Sequence, residues 1–90
     1  MNLFSDSIYY FMKVVEIDKN CKYAHFALGN SFQKLNKFNE AIASYSIAIG
    51  IDNEYTDAYT KIANIFTKLG KMDYVEKINE TLKNINDCDK

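Results

Sequence analysis

His25 is the only histidine of the chain, and no serine, cysteine or carboxylate stands around it at a spacing that would make it a general base or part of a nucleophilic triad. Cys21 and Cys88 fall far apart, in a predicted turn and a tail. They have neither the spacing of a metal site nor the density of a disulfide scaffold, and we read them as two reduced thiols. Gly29 and Gly70 lie outside any glycine-rich turn between strand and helix, so no phosphate cradle is expected. Asn79-Glu80-Thr81 has the form of a glycosylation sequon but sits inside a predicted helix. Catalytic residues, a metal site and a cofactor are therefore not expected, and the chain is not read as an enzyme.

Composition narrows the class further. The 90 residues are 48% hydrophobic and 26% charged, which describes one globular unit. All eleven basic residues are lysine, and the net charge is −1. Without arginine to read bases or clamp phosphates, nucleic-acid binding is not expected. No apolar run has the length of a membrane span, and Asp6, Lys13 and Glu16 interrupt the first helical stretch, unlike a secretory signal. The expectation is a soluble intracellular (cytoplasmic) protein with no membrane contact. Abundant Asn, Ile, Tyr and Phe, with Pro and Trp absent, have the look of AT-rich coding bias. That bias lowers the weight of any single asparagine.

The elements that must position the side chains repeat at an offset of 34 residues. Ala24 falls on Ala58, His25 on Tyr59, Leu28 on Ile62, Gly29 on Ala63, Asn30 on Asn64, Phe32 on Phe66 and Leu35 on Leu69. Further on, Phe38 meets Met72, Ala41 meets Val75 and Ala48 meets Leu82. Backward by the same offset, Phe4, Ile8, Phe11 and Val14 fall under Phe38, Ile42, Tyr45 and Ala48, so the chain opens on half a unit. At His25 the repeat wants a bulky, half-buried ring, which makes the imidazole a packing residue.

Apolar spacings of three and four predict helix throughout, over about 4 to 17, 22 to 35, 39 to 51, 56 to 69 and 73 to 86. Ser5, Asn39 and Asp73 precede apolar-periodic runs and are read as N-caps, Asp73 with Glu76 as an approximate capping box. The stretches "IDKNCKYA" and "IDNEYTDA" supply polar turns between units. The short linkers make neighbouring helices antiparallel, giving an all-α fold of about five helices in helix-turn-helix pairs. Most of the seven tyrosines and six phenylalanines fall at inter-helix positions and are read as core, Tyr23 and Phe26 excepted.

The segment "YAHFALGNSFQKLNKFNEAIASYSIAIGID" resembles a tetratricopeptide repeat (TPR). That pattern's large residue, Leu-Gly pair, aromatic, small, aromatic and small positions are His25, Leu28-Gly29, Phe32, Ala41, Tyr45 and Ala48, with Asn53 where proline is usual. The next unit matches with Tyr59, Ile62-Ala63, Phe66, Val75 and Leu82, but Asn79 replaces the second aromatic. On this resemblance residues 1–90 form a single domain of a right-handed superhelical array. Residues 1–19 are the second helix of a preceding repeat, 22–55 a complete repeat, 56–87 a degenerate one and 88–90 a tail.

The resemblance implies function as well. In this family the first helix of each pair lines a groove that holds an extended peptide or a partner helix. Transferred by register, the peptide-binding residues here are Tyr23, Phe26, Asn30, Lys34, Lys61, Asn64 and Lys68. Asn30 and Asn64 can donate to and accept from a peptide backbone. Lys34 with Lys68, and Lys37 with Lys71, form a repeated basic edge suited to an acidic or carboxylate-bearing partner. One branch of the family clamps the terminal carboxylate of chaperone tails. Here Asn30 fits that pattern, but Phe26 stands where its lysine belongs and Lys61 where its asparagine belongs, so that branch fits poorly.

An assembly module is the alternative, and it starts from the two ends of the array. Phe4, Phe11 and Val14 at one end and Tyr74, Ile78 and Ile85 at the other lack a covering helix, which predicts either an excerpt of a longer array or a homo-oligomer paired through these edges. Gly29 completes the reading. Its equivalent is Ala63, so the site requires smallness, with Ala41 and Ala48 expected opposite it. Gly29→Ala is accordingly expected to be neutral or stabilising.

Overall fold

The computed structural model describes residues 3–88, and the side chains of residues 8–85. Five α-helices follow one another with no strand among the described residues: α1 (Leu3–Ile17), α2 (Lys22–Lys34), α3 (Phe38–Ile51), α4 (Thr56–Lys68) and α5 (Met72–Cys88). Their ends agree with the expected ones to within two residues. Each helix packs chiefly on its neighbours in sequence. The result is a slab of 41 × 29 × 15 Å.

The turns repeat with the same offset as the apolar residues. After α2 the chain enters the left-handed region at Asn36 (φ 62°), and after α4 at Gly70 (φ 75°). Asn36 N–H donates to Gln33 O at 3.0 Å and Lys37 N–H to Phe32 O at 2.8 Å. Gly70 N–H to Thr67 O (3.2 Å) and Lys71 N–H to Phe66 O (2.9 Å) duplicate the pair. These two bonds define the Schellman motif, which satisfies carbonyls left open at a helix end. The other pair of turns repeats too, since the Asp18 carboxylate accepts from Asn20 N–H and the Asp52 carboxylate from Glu54 N–H, both at 3.1 Å.

The expected N-caps are displaced by this geometry. Asn39 and Asp73 are each the second residue of their helix, because the Schellman turn delivers the chain straight into α3 at Phe38 and α5 at Met72. The N-cap position of α3 is Lys37, which makes no side-chain capping bond. Ser5 falls within α1, and its side chain lies outside the described residues.

Ala41, Tyr45, Ala58, Ile62 and Ile65 form the centre of the core, where α3 meets α4, and Ala24, Leu28, Ala48, Ala63 and Val75 are buried around it. Small residues let the helix axes approach, while Tyr45 and Ile65 fill the remaining space. Gly29 does mark a close approach, but the group opposite is the ring of Tyr45. A β-carbon at residue 29 would lie 2.6 Å from Tyr45 Cδ1 and 2.7 Å from Cζ, and nearer still to Cε1. Tyr45 is fully buried and cannot swing aside. The expectation that alanine is harmless at residue 29 is therefore corrected, and the nearest group opposite is the Tyr45 ring, which that expectation did not include.

Two polar contacts tie the units together. Lys22, at the start of α2, pairs with Asp52 in the turn after α3, and its ammonium lies 5.4 Å from the ring centres of both Tyr23 and Tyr55. His25 is buried, and its Nε2 meets Lys19 O at 3.1 Å, so the imidazole fastens the preceding turn. Cys21 is a half-buried free thiol at the N-cap of α2, whereas the Cys88 side chain lies outside the described residues.

Candidate functional site

Residues spaced by three or four on one helix share a face, so Asn30, Gln33 and Lys34 of α2 point the same way, as do Lys61 and Lys68 of α4. The fold brings these five together around a cavity of about 310 Å³. Three ammonium groups and two amides line it, with no carboxylate. Among the described residues no ion pair neutralises Lys34, Lys61 or Lys68. An anion entering this space meets donors on both walls.

The amides are organised from below. Tyr45 rises from α3 between them, and its hydroxyl donates to Asn30 Oδ1 at 2.6 Å. Gln33's amide stands 3.0 Å from the same oxygen. A phenol has one proton to give, so with that proton on Asn30 the Gln33 contact is satisfied when its NH₂ group faces the phenol oxygen. Burial pushes the Tyr45 phenol well above its ordinary pKa and keeps it a donor at neutral pH.

The remaining candidates divide into two groups. Phe26 is half buried, 5.4 Å from the Tyr45 ring and stacked on Tyr55 at 5.1 Å between centroids. It is in large part a core residue. Tyr23 is exposed and meets the Tyr55 edge at 6.2 Å. Both lie on α2 toward its start, away from the lysines near its end. Asn64 is exposed on α4 outside the cavity lining. Thr60 and Thr67 turn their hydroxyls onto the carbonyls of Thr56 and Ala63, one turn back on their own helix. The α4 wall thus offers a ligand its lysines. Sequence reasoning did not find the Tyr45 hydroxyl as the support of this site; the only signal was that residue 45 is a tyrosine where a phenylalanine would pack equally well.

A second, larger cleft of about 490 Å³ lies over α2 between α1 and α3. Tyr9, Met12, Leu28, Phe32 and Ile47 give it an apolar lining. Of the residues expected to be uncovered at this end, Phe11 and Val14 are half buried, and Phe4 lies outside the described side chains. Tyr9, Tyr10 and Met12 are exposed in their place. At the other end Tyr74 is exposed, partly stacked on Phe66 at 4.9 Å, while Ile78 and Ile85 are half buried.

Among the described residues no group of three or more His, Cys, Asp or Glu side chains is placed to hold a metal ion, and no helix is long and apolar enough to cross a membrane.

Helix pairs of this length, closed by paired Schellman turns and packed through a Gly-to-aromatic contact, are those of the tetratricopeptide repeat. Residues 29–70 match the family model described as a TPR repeat. The chain thus has a tetratricopeptide-repeat fold, an all-α helical-repeat scaffold.

Among solved structures, "Crystal structure of MamA" is similar at a TM-score of 0.87 and 18% identity, over 91% of this chain and 48% of that one. A MamA AMB-1 structure is similar at 0.83 and 22% identity, again over 91% and 48%. "MamA MSR-1 C2" is similar at 0.77 and 26% identity, over 96% and 48%. The chain spans about half the length of these structures. No curated protein matches the chain.

Proposed function

We propose that this chain is a non-catalytic interaction module that receives an acidic or carboxylate-bearing segment of a partner protein in the cavity between α2 and α4. The observation that carries the reading is the donor set itself: Asn30, Gln33 and Lys34 of α2 with Lys61 and Lys68 of α4, and no acidic side chain among them. Ammonium groups near an open surface gain little from one another and much from an incoming anion. Tyr23, exposed near the start of α2, lies outside the cavity lining and is the aromatic left for an apolar residue of a longer peptide, while Phe26 serves the core. Asn64 stands apart from the cavity and is given no part in this reading.

The test is titration of a fluorescent acidic hexapeptide, alternating glutamate and glycine with a free carboxyl terminus, read by anisotropy. Binding should weaken with added salt and by about tenfold or more when Lys34 and Lys68 are both changed to Glu. Affinity unmoved by that double reversal would reject the cavity as the site.

A second reading rests on the apolar cleft between α1 and α3, whose exposed rim of Tyr9, Met12 and Ile47 is the kind of surface through which protein copies associate. It predicts that Tyr9→Glu with Met12→Glu lowers the mass measured by light scattering at high concentration. A wild-type chain that stays monomeric there removes this reading.

A further inference from the structure

The two asparagines that the repeat places at equivalent positions have different neighbours. Asn30 has its amide oxygen held by the Tyr45 hydroxyl at 2.6 Å. The register equivalent of Tyr45 in the second unit is Asn79, which is exposed on α5, and Asn64 has no hydrogen-bond partner among the described side chains. An amide carries its oxygen, with two lone pairs, and its NH₂ on opposite sides of one carbon. With the oxygen turned onto the Tyr45 hydroxyl, the NH₂ is the group Asn30 has left to turn toward the cavity.

We propose that Tyr45 is a positioning residue that makes Asn30 a donor-only contact, so that the cavity selects ligands presenting a carboxylate oxygen to α2. This deepens the reading of the cavity as a binding site and rests on it. Three features of the fold support it. The phenol is buried and un-ionised, so its proton is always available to Asn30 Oδ1. The buried ring is packed against Gly29 and Phe26 of α2, which hold it in place. Gln33 completes the arrangement at 3.0 Å, so both amides of the α2 wall share one anchor. An unanchored amide loses rotamer freedom when it turns its NH₂ to an anion; one already held by its oxygen loses less.

The decisive variant is Tyr45→Phe, which keeps the ring in its place beside Gly29 and removes only the hydroxyl. With the glutamate-glycine hexapeptide as probe, Tyr45→Phe should weaken binding about fivefold, the effect of one organised hydrogen bond. Asn30→Ala should weaken it as much, and the double variant no further, because the two residues act through one contact. In the free protein the side-chain NH₂ resonances of Asn30 and Gln33 should shift in Tyr45→Phe, while those of Asn64 stay fixed.

Three results overturn the proposal. If Tyr45→Phe binds as the wild type does while Lys34→Glu with Lys68→Glu does not, the basic cavity stands and the role of Tyr45 falls. If Tyr45→Phe and Asn30→Ala weaken binding additively, the hydroxyl does not act through Asn30. If the wild-type chain binds no hexapeptide even at millimolar concentration, the cavity reading fails and takes this one with it.

Discussion

The ring of Tyr45 occupies the space that a β-carbon on Gly29 would need, with Cδ1 2.6 Å and Cζ 2.7 Å from that point. Because φ at Gly29 is not positive, the glycine is there for room and not for backbone freedom. The second unit makes the complementary choice. Where glycine becomes Ala63, the tyrosine becomes Asn79, so the added methyl and the lost ring go together.

Gly29→Ala is therefore expected to destabilise the fold by about 1–3 kcal/mol through overpacking against a ring that has nowhere to go. Urea denaturation measures it. In a Tyr45→Asn background the same alanine should be nearly neutral, mirroring Ala63 with Asn79. Gly50 supplies the contrast, since nothing lies within 4 Å of its would-be β-carbon; Gly50→Ala should stabilise α3 by about 0.5–1 kcal/mol.

At the helix ends the prediction concerns backbone shape. Asn36 adopts φ 62° and Gly70 φ 75°, a region that favours glycine. Asn36→Gly should raise stability by about 0.5 kcal/mol, and Gly70→Ala should lower it by about 1 kcal/mol. Thermal unfolding of the two variants reads both signs. A loss on Asn36→Gly would mean that its side chain, and not its backbone, holds the turn.

The dependence of stability on pH has an acid limb and an alkaline one. The hydrogen bond from Lys22, followed by that from Glu54 N–H, holds the Asp52 carboxyl below its ordinary value of 3.8. A folded-state pKa below the unfolded one stabilises the fold above the unfolded value, and the contribution is lost as the pH falls from there through the lower folded-state value. Burial raises Tyr45 above 10.0, and the hydrogen bond to Asp52 raises Lys22 above 10.5. Those contributions are complete below the unfolded values and vanish as the pH rises beyond them. Midpoints of urea unfolding across pH should slope less at the acid end in Asp52→Asn and less at the alkaline end in Tyr45→Phe.

Five helices and their antiparallel order were legible because they follow from periodicity and from the 34-residue offset, whereas Lys34, Lys61 and Lys68 were singled out only through the family resemblance. Asn39 and Asp73 misled as caps. Their residue types are right for an N-cap, but the chain turn is set one step earlier by Asn36 and Gly70, whose alignment with each other was the better signal. Gly29 was correctly read as a demand for smallness, yet the Tyr45 ring as the nearest group opposite it was not foreseen. Register places Tyr45 opposite α2 without saying where its ring lies, and ring placement decides both the glycine clash and the bond to Asn30. Phe26 looked like a groove residue because its register position faces inward. Stacking on Tyr55 draws it into the core, and that contact joins residues too distant in sequence for spacing to reveal.

A slab in which helices pack chiefly on their sequence neighbours behaves as a line of coupled segments rather than as a sphere around one centre. Its contacts close short loops, so the chain should fold quickly and can start at any helix pair. Opening α5 leaves the α2–α3 pair and its Gly29–Tyr45 contact in place, which sets up a gradient of amide exchange along the array with the slowest protons in α2 and α3. The donor cavity straddles that gradient, with one wall on the firm pair and the other, Lys61 and Lys68, on the more yielding side. A partner that grips both walls would thus stiffen α4, and its arrival would be recorded as slowed exchange in a helix it barely covers.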